Sequence, residues 1–484
     1  MSAPEQPTPS QYRRHWLSAE QLGLLLAIAA GAFLRFNGLT HRELSADEAN
    51  SWAAAAVPTV SKVVELQAVL NPGKLPLHDL LLHFWITVFG DGVFSMRFLS
   101  ALMGTMAIPA VYFAGKLLFQ ELHPLFTDSR ESRLSPACLG TLLFSVNLVT
   151  IKYAQEARMY SLVLLAALAQ VIIFLRMYLA PKGALFCLLV ILTGLCAAAN
   201  FSALLVFAAE AAFLASEVLS GRTRSYVGSA KRVALLLGSL GLGTLVFLAF
   251  SVEALQTSRR AIEGGVLSWI KPPKFWEPIA LFNKATGTFA FPVIALAATI
   301  GVLKNKRWRS VSVRFLLFWM WAPVIALFSA SLVAMPLLVE RYVLSSFVPF
   351  ILLAGLGIHT IVRPGPRAGF LALALTLSIG HWYSYGLKPH DAQWREASYF
   401  AERLTSSFQT VAVAPAHAVN VVRYYTAPAL RASIVPAQDE KPAARILILG
   451  DQGVSNSERA RLERLYPYAA LVLRGVEVRL RDQD

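Results

Sequence analysis

Three short stretches of this 484-residue chain bring together side chains able to handle a proton and an anion. The first is Ser45-Ala46-Asp47-Glu48-Ala49-Asn50-Ser51-Trp52. A carboxylate within hydrogen-bond reach of a hydroxyl can take its proton as the oxygen attacks, which makes Asp47 a candidate catalytic base. Glu48 then orients either the acceptor or Asp47 itself. A local reading competes: Ser45 or Asp47 caps the helix that follows, where carboxylates are favoured. The second stretch is Tyr153-Ala154-Gln155-Glu156-Ala157-Arg158-Met159-Tyr160, beside an apolar block. A charge at the centre of a bilayer costs about 2.5–3.5 kcal/mol on insertion scales. A wet cavity facing an anionic headgroup is the more natural place for these polar groups. The i,i+4 spacing of Glu156 and Tyr160 predicts that they share a helix face. An interfacial belt of Tyr and Arg is the alternative. The third is Glu340-Arg341-Tyr342, where the Arg341 guanidinium suits the geometry of a phosphate. An ordinary interfacial Arg–Tyr pair fits that motif as well.

The elements that must position these groups are membrane helices. Of the chain, 56% is hydrophobic and 15% charged, against about 25% charged in ordinary soluble domains. The apolar residues come in blocks such as Leu22–Phe36, Phe98–Leu118, Leu162–Leu179 and Leu344–Ile361, near the roughly 20 residues that cross a bilayer. The formal charge of +15 is spread over short loops rather than one stripe. It therefore points to anionic lipid headgroups and not to nucleic acid. Cys138, Cys187 and Cys196 all fall in apolar blocks, with no pattern of a disulfide framework or metal cluster. Arg13, Arg14 and His15 before Leu22–Ala32 resemble a signal peptide, but the run continues to Phe36 and reads as an uncleaved first helix.

Candidate spans lie near 20–38, 97–118, 134–151, 157–179, 183–199, 201–219, 232–251, 285–303, 311–333, 343–362 and 368–386. The block Leu75–Gly90 is short and polar at one end. If it stays on the outer surface, Lys304, Lys306, Arg307, Arg309 and the pair Lys231, Arg232 all fall in the cytoplasm, as the positive-inside rule requires. This gives an all-α polytopic domain over 20–386 of about eleven spans, with residues 1–19 cytoplasmic and the C-terminus outside. The loop 39–96 is then on the outer face. Asp47–Val57 reads as one helix there, and Val60, Val63, Val64 and Leu70 give a second an apolar face. Such helices suit the membrane interface, as do Trp52 and Trp85. From 387 to 484 the pattern changes to a small α/β domain on the same side. Helices are expected at Trp394–Ser406, Ala416–Tyr425 and Ser457–Leu465, strands at Thr410–Ala414 and Arg445–Leu449, and a β-rich close at Leu471–Leu480.

The order and spacing of the polar stretches, together with Gly73-Lys74-Leu75-Pro76-Leu77-His78-Asp79, resemble the bacterial membrane glycosyltransferases of the GT-C class. The resemblance is specifically to the family related to dolichyl-phosphate-mannose protein mannosyltransferases, glycosyltransferase family 39. It runs from about residue 20 to 386, most clearly over 44–178, and includes Phe89-Gly90 and Arg97-Phe98-Leu99-Ser100-Ala101-Leu102. It implies that Asp47 is the catalytic base, assisted by Glu48. It implies that Arg341 and Tyr342 approach the carrier phosphate. The residues themselves add Arg158 at that phosphate, and His78, Asp79, Glu156 and Tyr160 are expected as substrate contacts. Trp394-Arg395-Glu396-Ala397 resembles the start of the outer domain of bacterial members. Over 74–79 the chain departs from its relatives, which often carry a double proline and an aromatic residue there.

No G-x-G-x-x-G or G-x-x-x-x-G-K-[ST] loop offers a nucleotide site, and the lone D-x-D, Asp482-Gln483-Asp484, ends the chain. No metal site is indicated at His78, Asp79 and His83, and no cofactor is expected. The expected activity is transfer of a sugar, with inversion, from a polyprenyl-phosphate carrier to a hydroxyl acceptor in the cell envelope, which can be lipid, glycan or protein. The setting is the periplasmic face of a bacterial inner membrane. Two rivals share the topology: a ligase or polymerase of lipid-linked glycans, and a transporter or flippase. The absence of an inverted repeat and of paired broken helices counts against the last.

Overall fold

The computed structural model describes residues 17–72, 74–122, 134–220, 230–264, 270–387, 392–405, 410–437 and 444–481. Arg13, Arg14 and His15, most of the N-terminal segment, Gly73 and the terminal Asp482-Gln483-Asp484 lie outside these residues.

The membrane domain contains α1 (Ala19–Phe36), α5 (Val93–Lys116), α6 (Pro136–Ser145), α7 (Leu148–Ala154), α8 (Tyr160–Leu179), α9 (Gly183–Ala199), α10 (Leu204–Leu219) and α11 (Ala230–Glu263). It continues with α12 (Glu277–Thr286), α13 (Ala290–Leu303), α14 (Val311–Val333), α15 (Phe347–His359) and α16 (Pro364–Gly386). The first loop holds α2 (Ala46–Ala55), α3 (Val60–Leu70) and α4 (Leu77–Phe89). Most of each of the eleven expected spans is helical, but those over 134–151 and 285–303 are broken. Seven described helices are long and apolar enough to cross a membrane, or nine when each of two bent pairs is one span. Of the other two, α9 is a shorter apolar helix of 17 residues, and α16 opens on Pro-Gly-Pro-Arg. The chain is a multi-pass membrane protein.

Bending is what delivers the site. The sequence predicts one helix over 134–151, but α6 ends at Ser145 and α7 leaves at 56°. Asn147 restarts the chain by accepting from the Thr150 N–H at 3.3 Å. A break in apolar surroundings frees carbonyls that need donors. Arg35, fully buried on α1, supplies one, donating to the Ser145 carbonyl at 2.9 Å, and donates to the Thr150 hydroxyl at 3.0 Å. The α7 helix then stops at Ala154, and residues 155–159 form a turn before α8. Behind the break, glycines let α6, α13 and α15 meet backbone to backbone, as in other membrane bundles. A Cβ on Gly357 would sit 1.7 Å from the Ala297 carbonyl oxygen.

The first loop is a packed layer. At 13 residues, α4 is about 20 Å long at 1.5 Å per residue, short of a bilayer core. It buries His78, Asp79, Leu82 and Ile86, and leaves Phe84, Val88 and Phe89 exposed, the pattern of an interfacial helix. Trp52 differs from the expectation of an interfacial anchor. It is 5% exposed, packs with Leu82, Met96 and Tyr425, and donates from Nε1 to Asp91 at 2.9 Å. Trp85 likewise turns its N–H to the Ser95 carbonyl.

The C-terminal unit contains α17 (Trp394–Leu404), β1 (Val411–Ala414), α18 (Val419–Tyr425), β2 (Ile434–Pro436), β3 (Ile446–Gly450), α19 (Asn456–Leu465), β4 (Tyr468–Leu473) and β5 (Val476–Leu480). Its sheet has the order β2-β1-β3-β5-β4, parallel over the first three strands and antiparallel over the rest. The sequence reading missed β2, which has three residues, and merged the β4–β5 hairpin into one segment. The unit docks on α2. The Tyr425 hydroxyl accepts from the Leu44 N–H at 2.8 Å, and the Asn420 amide donates to the Asn50 side chain at 2.8 Å.

Candidate active site

Ser45 caps α2, taking the Glu48 N–H on its hydroxyl while Glu48 Oε2 accepts from the Ser45 N–H at 3.0 Å. This is a complete capping box. Both Glu48 oxygens are also gripped by Arg97 of α5, with Nε to Oε1 at 2.8 Å and Nη2 to Oε2 at 2.9 Å. Oε1 further accepts from the Ala157 N–H at 2.9 Å. The remaining Arg97 donors hold the Leu39, Arg42 and Glu43 carbonyls, so all five N–H groups are used. Glu48 is 1% exposed. It is therefore the rivet between α2, α5 and the 155–159 turn, and its neighbour Asp47 is what the rivet presents.

Asp47 faces the other way, with its side chain 52% exposed. Its Oδ2 is 3.3 Å from Arg341 Nη1. The Arg158 guanidinium, aided by Arg341 and opposed by burial, holds the Asp47 carboxyl below the usual carboxylate range. Arg158 is itself fixed: its Nη1 donates to the Asp47 carbonyl at 2.8 Å, the Ser51 hydroxyl at 2.9 Å and the Asn71 side chain at 2.6 Å. Its Nε is buried without a partner among the described residues. Arg341 lies over the Tyr342 ring at 5.5 Å. Preceding it, Glu340 accepts from Lys152 at 2.8 Å and from the Tyr153 hydroxyl at 3.0 Å. Tyr153 in turn packs tilted against Tyr160, with ring centroids 4.8 Å apart. Residues about 300 positions apart are thus brought to one carboxylate.

Two of the expected substrate contacts are sealed rather than open. Asp79 is 0% exposed, pairs with Lys74 at 2.7 Å and lies 3.3 Å from His78 Nδ1. Burial opposes its charge, but Lys74 and His78 keep it well below the usual range. Burial pushes Lys74 down to about 8, and Asp79 resists that shift. His78 Nε2 is buried with no partner among the described residues. His83 turns its Nδ1 to the Ala55 carbonyl at 2.8 Å, away from any shared cluster with His78. The sequence reading gave Lys74 no role: a single lysine in a loop carries no periodic signal, and only the fold shows that it is buried beside the site.

Glu156 is a correction in geometry. It stands in the turn before α8, so it and Tyr160 do not share a helix face. Partial burial, reinforced by the nearby Glu48 carboxylate, raises Glu156 to about 7. Its side chain makes no hydrogen bond among the described residues.

The arrangement offers an ionised, half-open carboxylate for a proton, with guanidinium groups on two sides for an anion. No protein-family model matches the chain, and no curated protein matches it. Solved structures do. ArnT from Cupriavidus metallidurans in the apo state superposes with a TM-score of 0.61 at 12% identity, covering 96% of this chain and 98% of that one. Its structure bound to undecaprenyl phosphate gives 0.60 at 11%, covering 94% and 97%. The Archaeoglobus fulgidus oligosaccharyltransferase, tethered with an acceptor peptide, gives 0.53 at 12%, covering 91% and 70%. These likenesses are of fold: the chain has the architecture of the GT-C glycosyltransferases.

Proposed function

We propose that the chain is an inverting glycosyltransferase that moves a sugar from a polyprenyl-phosphate carrier to a hydroxyl acceptor at the outer, periplasmic face. The observation that carries this reading is the half-exposed Asp47 carboxylate set between Arg158 and Arg341. Asp47 takes the acceptor O–H proton while the oxygen forms a bond to the anomeric carbon. The bond from that carbon to the phosphate oxygen breaks on the opposite side, and polyprenyl phosphate departs with the electron pair.

Arg341 has two successive partners in this account. It pairs with Asp47 before the donor arrives and turns to the carrier phosphate afterwards, which frees the base when it is needed. Arg158 and Lys74 flank the same anion, and Tyr342 borders it. Preorganised charge of this kind is commonly the largest catalytic term. Asp79 and His78 act by holding Lys74, Glu48 by holding α2, and Glu156 and Tyr160 lie close enough to Asp47 to act on its charge. The fold shared with ArnT, which has been seen with undecaprenyl phosphate, supports the carrier class. The test is a panel of carriers bearing single sugars or whole oligosaccharides, with release of carrier phosphate and the anomeric configuration of the product as readouts. Release from monosaccharide carriers with inverted product supports the proposal. Release from oligosaccharide carriers alone replaces it with the ligase reading.

A further inference from the structure

The C-terminal unit and the first loop enclose a second feature between them, an open groove of about 340 Å³, within the range of about 300–1,000 Å³ typical of ligand sites. Asp91 lies on the loop side, and Arg395, Tyr399, Tyr424, Tyr425 and Arg431 come from the C-terminal unit. Each side is held while keeping a face open. Tyr424 donates its hydroxyl to the Asp91 carbonyl at 3.0 Å and meets the Trp52 ring edge-on at 5.1 Å. Arg395 lies over the Tyr425 ring at 5.3 Å, and its backbone N–H is fixed by Glu43 at 2.9 Å. Arg431 lies over Trp52 at 4.8 Å, with Nε on the Thr426 carbonyl. Its Nη atoms make no hydrogen bond among the described residues. Asp91 Oδ2 takes the Trp52 N–H, and Oδ1 has no hydrogen bond among the described residues. Tyr399 is 50% exposed.

The geometry points to this groove as a binding site for an anionic saccharide. Aromatic rings offer flat apolar faces of the kind that sugar C–H groups cover, and the open Asp91 oxygen can accept from a hydroxyl. Among the lining side chains two guanidiniums stand against one carboxylate, and although Glu43 lies beside Arg395, the open Nη atoms of Arg431 select a carboxylate or phosphate on the ring. Trp52 packs behind the lining residues Tyr424 and Arg431 and stands five positions beyond Asp47 on α2, about 7.5 Å along the axis. As the acceptor subsite of the proposed transferase, which this assignment rests on, the groove would lay an anionic glycan against α2 with a hydroxyl toward Asp47.

The test uses the full chain in nanodiscs of neutral phosphatidylcholine, so that no lipid headgroup competes for the arginines. A uronic-acid tetrasaccharide, a phosphorylated sugar and a neutral tetrasaccharide are titrated by calorimetry and tryptophan fluorescence. The anionic ligands are expected to bind about tenfold tighter than the neutral one, the scale of one charge-assisted contact. Arg431→Gln should erase that preference and Arg431→Lys should keep part of it. Tyr399→Ala, which removes an exposed ring, should weaken all saccharides alike. Asp47→Asn should bind as wild type does, so a failure of the transferase reading leaves this result readable. Equal binding of neutral and anionic saccharides, no binding of any, or a preference that survives Arg431→Gln overturns the assignment. A difference between the uronate and phosphate arms identifies which anion the groove serves.

Discussion

Arg97 and Glu48 form a two-point ion pair, Nε to Oε1 at 2.8 Å and Nη2 to Oε2 at 2.9 Å, with both side chains less than 5% exposed. Removing one partner strands a buried charge, which costs about 3–5 kcal/mol. Arg97→Leu and Glu48→Leu are each expected to lower the thermal midpoint in detergent sharply. The double variant should recover part of the loss, because neither charge is then left alone. A double variant no better than either single one would show that the pair does not act as a unit.

Arg341 should reveal itself in a pH profile. Asp47 is held below the usual carboxylate range by Arg158 and, to a lesser degree, by Arg341, so the base stays ionised into acid. Arg341→Gln removes one of these charges, and the acid limb of kcat/KM should move to higher pH. The rate at neutral pH should fall about 10²–10³-fold, as for loss of one preorganised donor. An unmoved acid limb would separate Arg341 from the base.

Glu156 gives a stability signature of opposite sign. Its pKa is raised to about 7 by burial and by Glu48, so the folded protein binds its proton more tightly than the unfolded chain does. Stability from this group is therefore full below the unfolded value of about 4.3. It is lost progressively as pH rises toward 7. Glu156→Gln should flatten that part of the stability curve while other slopes persist. A curve unchanged by the substitution would contradict the raised pKa.

The C-terminal unit is tied to the catalytic loop by few polar contacts, so each can be read singly. Tyr425→Phe deletes the acceptor for the Leu44 N–H. It is expected to cost about 1 kcal/mol and to expose amides near residue 44 to hydrogen exchange more than those of the sheet. Equal exchange at both places would mean that Tyr425 does not couple the two units.

Asp47, Arg158 and Arg341 were legible because charges stand out in a chain that is 56% hydrophobic, and helix ends are where such chains can afford them. The helices of the first loop were legible for a related reason: α2 has its capping serine in sequence and α3 its apolar spacing. The bend at Val146-Asn147 was not, because Ser145 and Asn147 are small polar residues inside an apolar block and the break depends on Arg35, over 100 positions away. Glu156 was placed on a helix face with Tyr160 because i,i+4 spacing does not show where a helix begins, and α8 begins only at Tyr160. Glu48 was expected to orient the acceptor or Asp47 because adjacency in sequence says nothing of direction; on a helix, neighbouring residues point about 100° apart, so Asp47 faces solvent while Glu48 faces Arg97. Lys74 and the docking face of Tyr425 became visible only once distant segments were packed together.

The most direct test compares wild type and Asp47→Asn, both folded in lipid and both shown to bind a radiolabelled polyprenyl-phosphate sugar. Removing a general base that acts in the transition state should reduce carrier release by about 10²–10⁴-fold with donor affinity retained. Full release by Asp47→Asn in correctly folded protein would contradict the assignment of Asp47 and, with it, the account of the site.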